Sequence, residues 1–98
     1  MSEYVYFLKD ANEDLMKVGI SENPLAEAKS LSRQIDLEES RVIAFPDKEM
    51  AHAVIEELHH FLKSFAQGEG TGWYTTEAKD DLLEQAKQLG LKVDPILG

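Results

Sequence analysis

Four polar side chains near the start of the chain have the chemistry of a phosphate-handling site: Tyr4, Tyr6, Lys17 and Ser21. They lie in two short apolar runs that are separated by mostly polar residues, 9–14. Two β-prone runs with so short a connection predict an antiparallel hairpin, on which the four side chains can converge. A phenol and an ammonium group beside a phosphate could position a water molecule and stabilise developing charge. The alternative is that the tyrosines lie at the edge of the core, with their hydroxyl groups at the surface.

A second group of candidate ligands lies in the middle of the chain. His52, Glu56 and His59 occur at helical spacing, so a helix there would carry them on one face. Two imidazoles and a carboxylate suit zinc or iron better than magnesium. The sequence shows no further ligand, and the alternative is a solvated helix face with an ion pair.

A glycine-rich segment and an aromatic pair follow. Backbone N–H groups around Gly68, Gly70 and Gly72 could cradle a phosphate, but no Lys-Ser/Thr pair follows them, so a flexible connector is the simpler interpretation. Trp73 and Tyr74 could stack on a nucleobase. The alternative is that they close the bottom of the core.

The net charge restricts the partners of the chain. Nineteen acidic residues against ten basic ones give a formal charge of −9. Proteins that bind duplex DNA usually present a basic face, because neutralising phosphates supplies most of their non-specific affinity. We therefore expect nucleic-acid binding to be weak or absent. The acidity serves solubility, or it attracts a basic protein surface by resembling nucleic acid.

Composition also indicates a compartment. The chain has no cysteine, which excludes disulfides and thiolate metal sites, and no apolar run approaches the ~20 residues of a membrane span. The first residues lack the basic region of a signal peptide, and Ser2 stands where myristoylation needs glycine. We expect a cytoplasmic protein that does not contact membranes.

The strands and helices that must position the candidate residues are predicted to form a single α+β domain over residues 1–98. The predicted strands are 3–8, 15–20 and 41–45, and the predicted helices begin at Pro24, extend over about 48–65, and follow Thr76. Both faces of the first strand are apolar or aromatic, which predicts a central position in the sheet. The acidic residues 35–40 indicate a loop. The economical arrangement is a three-stranded, mainly antiparallel sheet with helices packed on it, in the order β-β-α-β-α-α.

Several short segments resemble known motifs in the same order. Tyr4-Val5-Tyr6 and Lys17-Val18-Gly19-Ile20-Ser21 resemble the two signature motifs of the GIY-YIG nuclease superfamily, in a branch found in phage and bacterial proteins. Asn23-Pro24 matches the helix start of that branch, Leu58-His59 its later helix, and Gly72-Trp73-Tyr74 the segment before its last helix. The matches run from residue 4 to about residue 83.

The resemblance implies a metal-dependent endonuclease fold. In the family, tyrosines of both motifs and an arginine on the first helix surround the scissile phosphate, and a glutamate on a later helix holds Mg²⁺ or Mn²⁺. The residues carried over as catalytic candidates are Tyr6, Lys17, Ser21 and His59. Glu56 is the candidate metal ligand, and Tyr4, Trp73 and Tyr74 are the candidate binding surface.

Departures from the family pattern predict impaired catalysis. Positions 25–28 contain Glu27 but no arginine, and Arg33 comes nearly two turns later. Ile55 occupies the position of the metal glutamate, with Glu56 about 100° further round the helix. Losing a cation that stabilises the phosphoryl transition state costs orders of magnitude in rate.

These observations predict a GIY-YIG-like domain that acts as an acidic binding or regulatory module, with mimicry of nucleic acid as one version. The alternative is an active divalent-metal-dependent endonuclease that cleaves DNA, using Glu56 for the metal and Arg33 or Lys17 for charge. A structural or oligomerising domain is a third hypothesis. The charged outer face of the last helix indicates solvent rather than an interface, while a dimer through a sheet edge stays open.

Overall fold

A five-stranded antiparallel sheet forms the centre of the computed structural model, which describes residues 3–66 and 72–96. In chain order the elements are β1 (Glu3–Asp10), β2 (Leu15–Ser21), α1 (Pro24–Ser30), β3 (Ile35–Phe45), α2 (Lys48–Leu62), β4 (Trp73–Thr75), α3 (Lys79–Gln88) and β5 (Asp94–Pro95). The strand order across the sheet is β4-β2-β1-β3-β5. Short 3-10 turns extend α2 over Lys63–Phe65 and precede α3 over Thr76–Ala78.

The α+β class is as predicted, but the prediction of a three-stranded sheet is wrong. β4 adds a strand against β2, where Trp73 lies opposite Lys17, and β5 adds one against β3, where Pro95 lies opposite Arg41. Both added strands are too short to show an alternating pattern in the sequence. Pro95 has no N–H to donate and is accommodated because β5 lies at the sheet edge.

The interpretation of residues 35–40 as a loop is also wrong, because they form the first half of β3. An irregularity in the β1–β3 register explains the loop-like sequence: Lys9 lies opposite Asp36, but Phe7 lies opposite Arg41. The extra residues of β3 form a bulge. Within it, the buried hydroxyl group of Ser40 donates to the Asp36 carbonyl and accepts the Lys9 N–H.

The hairpin and the central position of β1 are confirmed. β1 pairs with β2 on one side and β3 on the other. Alternate residues of β1 enter two different cores, with Val5 and Phe7 on one face and Tyr6 and Leu8 on the other. A strand covered on both faces needs apolar side chains at every position, which is what the sequence of β1 shows.

The first two helices begin where the sequence indicates, whereas α3 begins at Lys79, after the 3-10 turn Thr76–Ala78, and not directly after Thr76. The side chain of Asn23 accepts the Ala26 N–H at the start of α1, and that of Asp47 accepts the Met50 N–H at the start of α2. These bonds satisfy N–H groups that a helix start leaves unpaired. α2 is shorter than the predicted span, since its last residues tighten into a 3-10 turn. Gly90 has a φ of 76°, the left-handed conformation that commonly follows the end of a helix.

The sheet separates two apolar layers. The larger lies between the Val5 face and the helices α2 and α3, with Ile55, Leu58 and Leu82 among its buried side chains. The smaller lies under α1, where Ala28 packs near Tyr6 and Leu8. Within the described part of the chain, no helix is long and apolar enough to cross a membrane.

Candidate functional site

The register of the hairpin places four of the candidate residues on one face of the sheet. Tyr4 lies opposite Ser21, Tyr6 opposite Gly19, and Leu8 opposite Lys17. Residues directly opposite in an antiparallel pair share a face. We call the face that carries Tyr4, Tyr6, Lys17 and Ser21 the Tyr6 face. Trp73 joins it, because Trp73 is the cross-strand partner of Lys17.

Tyr6 is buried against the backbone of β2. The Tyr6 residue as a whole is 3% exposed. A Cβ atom added at Gly19 would lie 2.7 Å from Cζ of Tyr6, and closer still to the hydroxyl oxygen. Gly19 is therefore the residue that allows the phenol ring to lie across the neighbouring strand. Tyr6 as a whole is therefore buried, in the smaller core under α1.

The electrostatic surroundings of Tyr6 disfavour its anion. Burial, together with the nearby carboxylate of Glu27 on α1, raises the pKa of Tyr6 from 10.0 to about 12. Both effects oppose the charged form, because a phenolate would lose hydration and face a like charge. At neutral pH the group is a neutral phenol next to an acidic side chain.

Cations collect at the other end of the Tyr6 face, around Trp73. The Arg33 guanidinium carbon lies 4.9 Å from the centroid of the Trp73 ring, and Lys17 Nζ lies 5.7 Å from it. Both distances fit cation–π contacts. Arg33 follows the end of α1, and the return of the chain from that helix brings it to Trp73. Although Arg33 comes nearly two turns after the position of the family arginine, the fold brings it to the same ring as Lys17.

Carboxylates of the β1–β2 connection neutralise Arg33. Its Nη1 atom lies 3.0 Å from Asp10 Oδ2 and 2.8 Å from Glu13 Oε2. The Asp10 side chain is 3% exposed, and its other oxygen accepts the N–H groups of Asn12 and Glu13. These bonds, that of Asn12 first, lower the pKa of Asp10. Arg33 thus holds the end of the hairpin in place, and these two carboxylates compensate its positive charge.

His59 lies on the opposite side of the sheet from Tyr6. It belongs to α2, and its ring stacks on Tyr74 with 5.9 Å between the centroids. Tyr74 lies opposite Met16 and is buried with it in the larger core. Among the described residues, His59 Nε2 is buried without a hydrogen-bond partner. His59 therefore packs against the aromatic core, and the sheet separates it from Tyr6.

The predicted metal ligands are not brought together. Ile55, at the position that the resemblance assigns to a metal glutamate, is buried in the larger core, whereas Glu56 is exposed on the outside of α2. His59 turns to Tyr74 rather than to Glu56. Across residues 3–66 and 72–96, no group of three His, Asp or Glu side chains is arranged to hold a metal ion. The described residues therefore do not fit a divalent metal centre.

Comparison with models of known protein families, with curated proteins and with solved structures gives no match. The chemistry of this chain therefore has to be inferred from its own geometry.

The remaining candidates have local roles. The Ser21 hydroxyl group accepts the Asn23 N–H at 3.0 Å and so shapes the turn into α1. Tyr4 lines a groove of about 230 Å³ together with Val42, Pro24 and Ile96. Trp73 and Tyr74 lie on opposite faces, since neighbouring residues of a strand alternate. The proposed aromatic surface of Tyr4, Trp73 and Tyr74 is thus divided by the sheet. Gly68 and Gly70 lie outside the described residues.

Two acidic residues that shape the Tyr6 face, Asp10 and Glu27, are not among the site residues predicted from the sequence. The signal for Asp10 is the Asp-x-Asn pattern at the end of a strand, which is typical of a turn. Glu27 lies in the sequence among the positions where the family pattern has an arginine, but its effect on Tyr6 depends on the packing of α1 on the sheet. No sequence signal relates Arg33 to Trp73, 40 residues later.

Proposed function

We propose that this chain is a GIY-YIG-like domain without nuclease activity, serving as an acidic binding or regulatory module in the cytoplasm. The observation that carries the proposal is the state of Tyr6: the residue is buried with its ring against Gly19, and the Glu27 carboxylate is its charged neighbour. Attack on a phosphodiester needs the reverse, an accessible group beside cations that stabilise the transition state.

The partner that we propose is a basic protein surface. In the described part of the chain, ion pairs involve the carboxylates of Asp10, Glu13, Glu39 and Asp94. Most other acidic residues are exposed, including Glu49, Glu56 and Glu57 on α2. A negative surface of this kind repels nucleic acid and accelerates association with a positive one. Mimicry of nucleic acid is the version of the proposal that this charge favours.

A nuclease assay tests the loss of activity. We expect no cleavage of single- or double-stranded DNA with Mg²⁺ or Mn²⁺. Cleavage that disappears in Tyr6→Phe but not in the exposed-site control Glu49→Gln would refute the proposal. The same pair of variants also excludes cleavage by a contaminating nuclease, because a contaminant would be equally active in both preparations.

A binding assay tests the partner chemistry. Oligolysine serves as a basic probe and single-stranded DNA as an acidic one, each titrated at low and at near-physiological salt. We expect oligolysine to bind with an affinity that falls steeply as salt rises, and DNA not to bind. Binding of DNA but not of oligolysine would contradict the proposed partner.

The alternative is a working DNA endonuclease with Mg²⁺ or Mn²⁺. It is favoured by one observation, the presence of Arg33 and Lys17 around Trp73 on the same face as Tyr6. It is disfavoured by the location of Glu56 on α2, which packs on the other face. If this alternative holds, cleavage should depend on Glu56, its metal ligand, and on Arg33 or Lys17 for charge.

A further inference from the structure

An open groove runs along the outer side of α3, between that helix and residues 91–93. Its volume is about 580 Å³. The side chains of Leu83, Leu91 and Val93 form its apolar part, and each of them is only partly buried. Partly exposed apolar side chains around a concave surface gain free energy when a complementary apolar group covers them.

The charged rim of this groove has a defined polarity. Asp80 and Glu84 come first along the chain, and Lys87 and Lys92 come last. An antiparallel copy of the same helix, related by a two-fold axis between residues 85 and 86, would place its residue 87 opposite Glu84. The same axis brings its residues 91 and 92 towards Asp80. A parallel copy would place like charges opposite each other.

Glu84 and Lys87, at the centre of the rim, are available to form ion pairs with a second copy. Within the described residues, neither Glu84 nor Lys87 takes part in an ion pair, although they are three positions apart on one helix. Lys92 approaches Asp94 only at 3.9 Å. Charges that form no ion pair with other described residues, and that are ordered from acidic to basic, complement themselves in an isologous interface.

We propose that the α3 groove is a homodimer interface, although the charged outer face of this helix, taken by itself, indicates solvent. Two copies pack α3 antiparallel about a two-fold axis, with Leu83 of each copy in the groove of the other. Glu84 of each copy then faces Lys87 of the second copy. This inference rests on the groove and its charge order and is independent of the proposed function.

Charge exchange at positions 84 and 87 tests the interface. Light scattering of the wild-type chain, at about 0.15 M salt to screen the −9 charge of each copy, should show the mass rising with concentration from 11.0 kDa towards twice that value. Glu84→Lys alone and Lys87→Glu alone each create two repulsive pairs, so each should associate about tenfold more weakly or worse.

Mixing the two single variants supplies the decisive result. A Glu84→Lys chain carries lysine at both positions and a Lys87→Glu chain carries glutamate at both, so their mixture should form a heterodimer. The double variant Glu84→Lys/Lys87→Glu should recover the homodimer. Both positions are exposed, and circular dichroism checks that every variant is folded.

Three outcomes would overturn the proposal. One is a wild-type chain that stays monomeric up to about 1 mM, a concentration that reveals even millimolar affinity. Another is a dimer that withstands both single charge changes. The third is a dimer abolished by the matched control Met50→Lys, at an exposed apolar residue of α2, because that result would locate the interface elsewhere.

Discussion

The contact between Tyr6 and Gly19 determines what the Tyr6 face can do. A phenol ring whose hydroxyl end lies against the backbone of the next strand is held in one position, and the residue is buried. The same contact makes Gly19 intolerant of a side chain. In the sequence, this glycine resembles part of a nuclease motif, whereas in the fold its local role is to make room for Tyr6.

Substitution of Gly19 tests this contact. Gly19→Ala should lower the free energy of unfolding by about 1–3 kcal/mol, because the added methyl group overlaps the Tyr6 ring in a packed region. Urea denaturation measures the change. Combining it with Tyr6→Phe should cost less than the sum of the two single changes, since the closest atom is then absent.

Gly90→Ala is the matched control for Gly19→Ala. An added Cβ at Gly90 has no atom within 4 Å, and its φ of 76° leaves only backbone strain of about 1 kcal/mol. Its effect should therefore be unchanged by Tyr6→Phe. Equal coupling of both glycines to Tyr6→Phe would show that the ring contact is not the cause.

The pKa of Tyr6 gives a second prediction at this scale. The unfolded phenol loses its proton near 10.0 and the folded one near 12, so the folded state holds the proton more tightly. Its contribution to stability is present below pH 10 and is lost as the pH rises towards 12, by about 3 kcal/mol at most. The stability of wild type relative to that of Tyr6→Phe should therefore fall across that range, and parallel curves would contradict the shifted pKa.

Among the elements, the hairpin end depends on a buried carboxylate rather than on its turn sequence alone. Asp10 accepts two backbone N–H groups and contacts Arg33, so one side chain joins the turn, the strand and the segment after α1. Asp10→Ala leaves those donors without partners and should lower the free energy of unfolding by about 1–3 kcal/mol. The exposed Asp14→Ala is the control, with an expected change within about 0.5 kcal/mol.

Acid titration examines the same carboxylate in another way. The hydrogen bonds, with that of Asn12 first, lower the pKa of Asp10 below its ordinary value of 3.8. The stabilisation is therefore present above pH 3.8 and is lost as the pH falls through the lowered pKa. Asp10→Asn should flatten the acid side of the stability curve, and an unchanged curve would exclude Asp10 as a contributor.

α2 shows how one residue of helical register separates a core position from a surface position. Ile55→Ala should cost about 2–5 kcal/mol, because it removes buried methyl groups from the larger core. Glu56→Ala, one position along on the exposed side, should change stability by less than about 0.5 kcal/mol. Thermal or urea unfolding distinguishes them. Similar losses for both would mean that α2 is rotated relative to the arrangement described above.

At the scale of the whole molecule, charge is the dominant feature. A chain with a net charge of −9 repels itself when compact, and salt screens this repulsion. We expect the melting temperature to rise by a few degrees between roughly 10 mM and 150 mM NaCl, as the Debye length falls from about 30 Å to about 8 Å. Calorimetry at fixed pH measures this change, and a falling melting temperature would mean that attractive ion pairs outweigh the net repulsion.

The sequence alone determined the local features whose causes are close along the chain. The hairpin, the central position of β1, and the caps at Asn23 and Asp47 follow from alternation, turn composition and side chains that reach a backbone N–H three residues later. The GIY-YIG resemblance stays a prediction, since nothing in the geometry or the comparisons tests it. The net charge is likewise fixed by composition.

The tertiary structure decided the contacts between residues far apart in the sequence. β4 and β5 are strands only because β2 and β3 present hydrogen-bonding edges to them, and residues 35–40 are extended because β1 pairs with their strand. Arg33 reaches Trp73 because α1 ends at Ser30 and the chain returns towards β2. The sheet also separates His59 from Tyr6. The distance between two residues along the chain does not predict this separation, because successive residues of a strand point to opposite faces of the sheet.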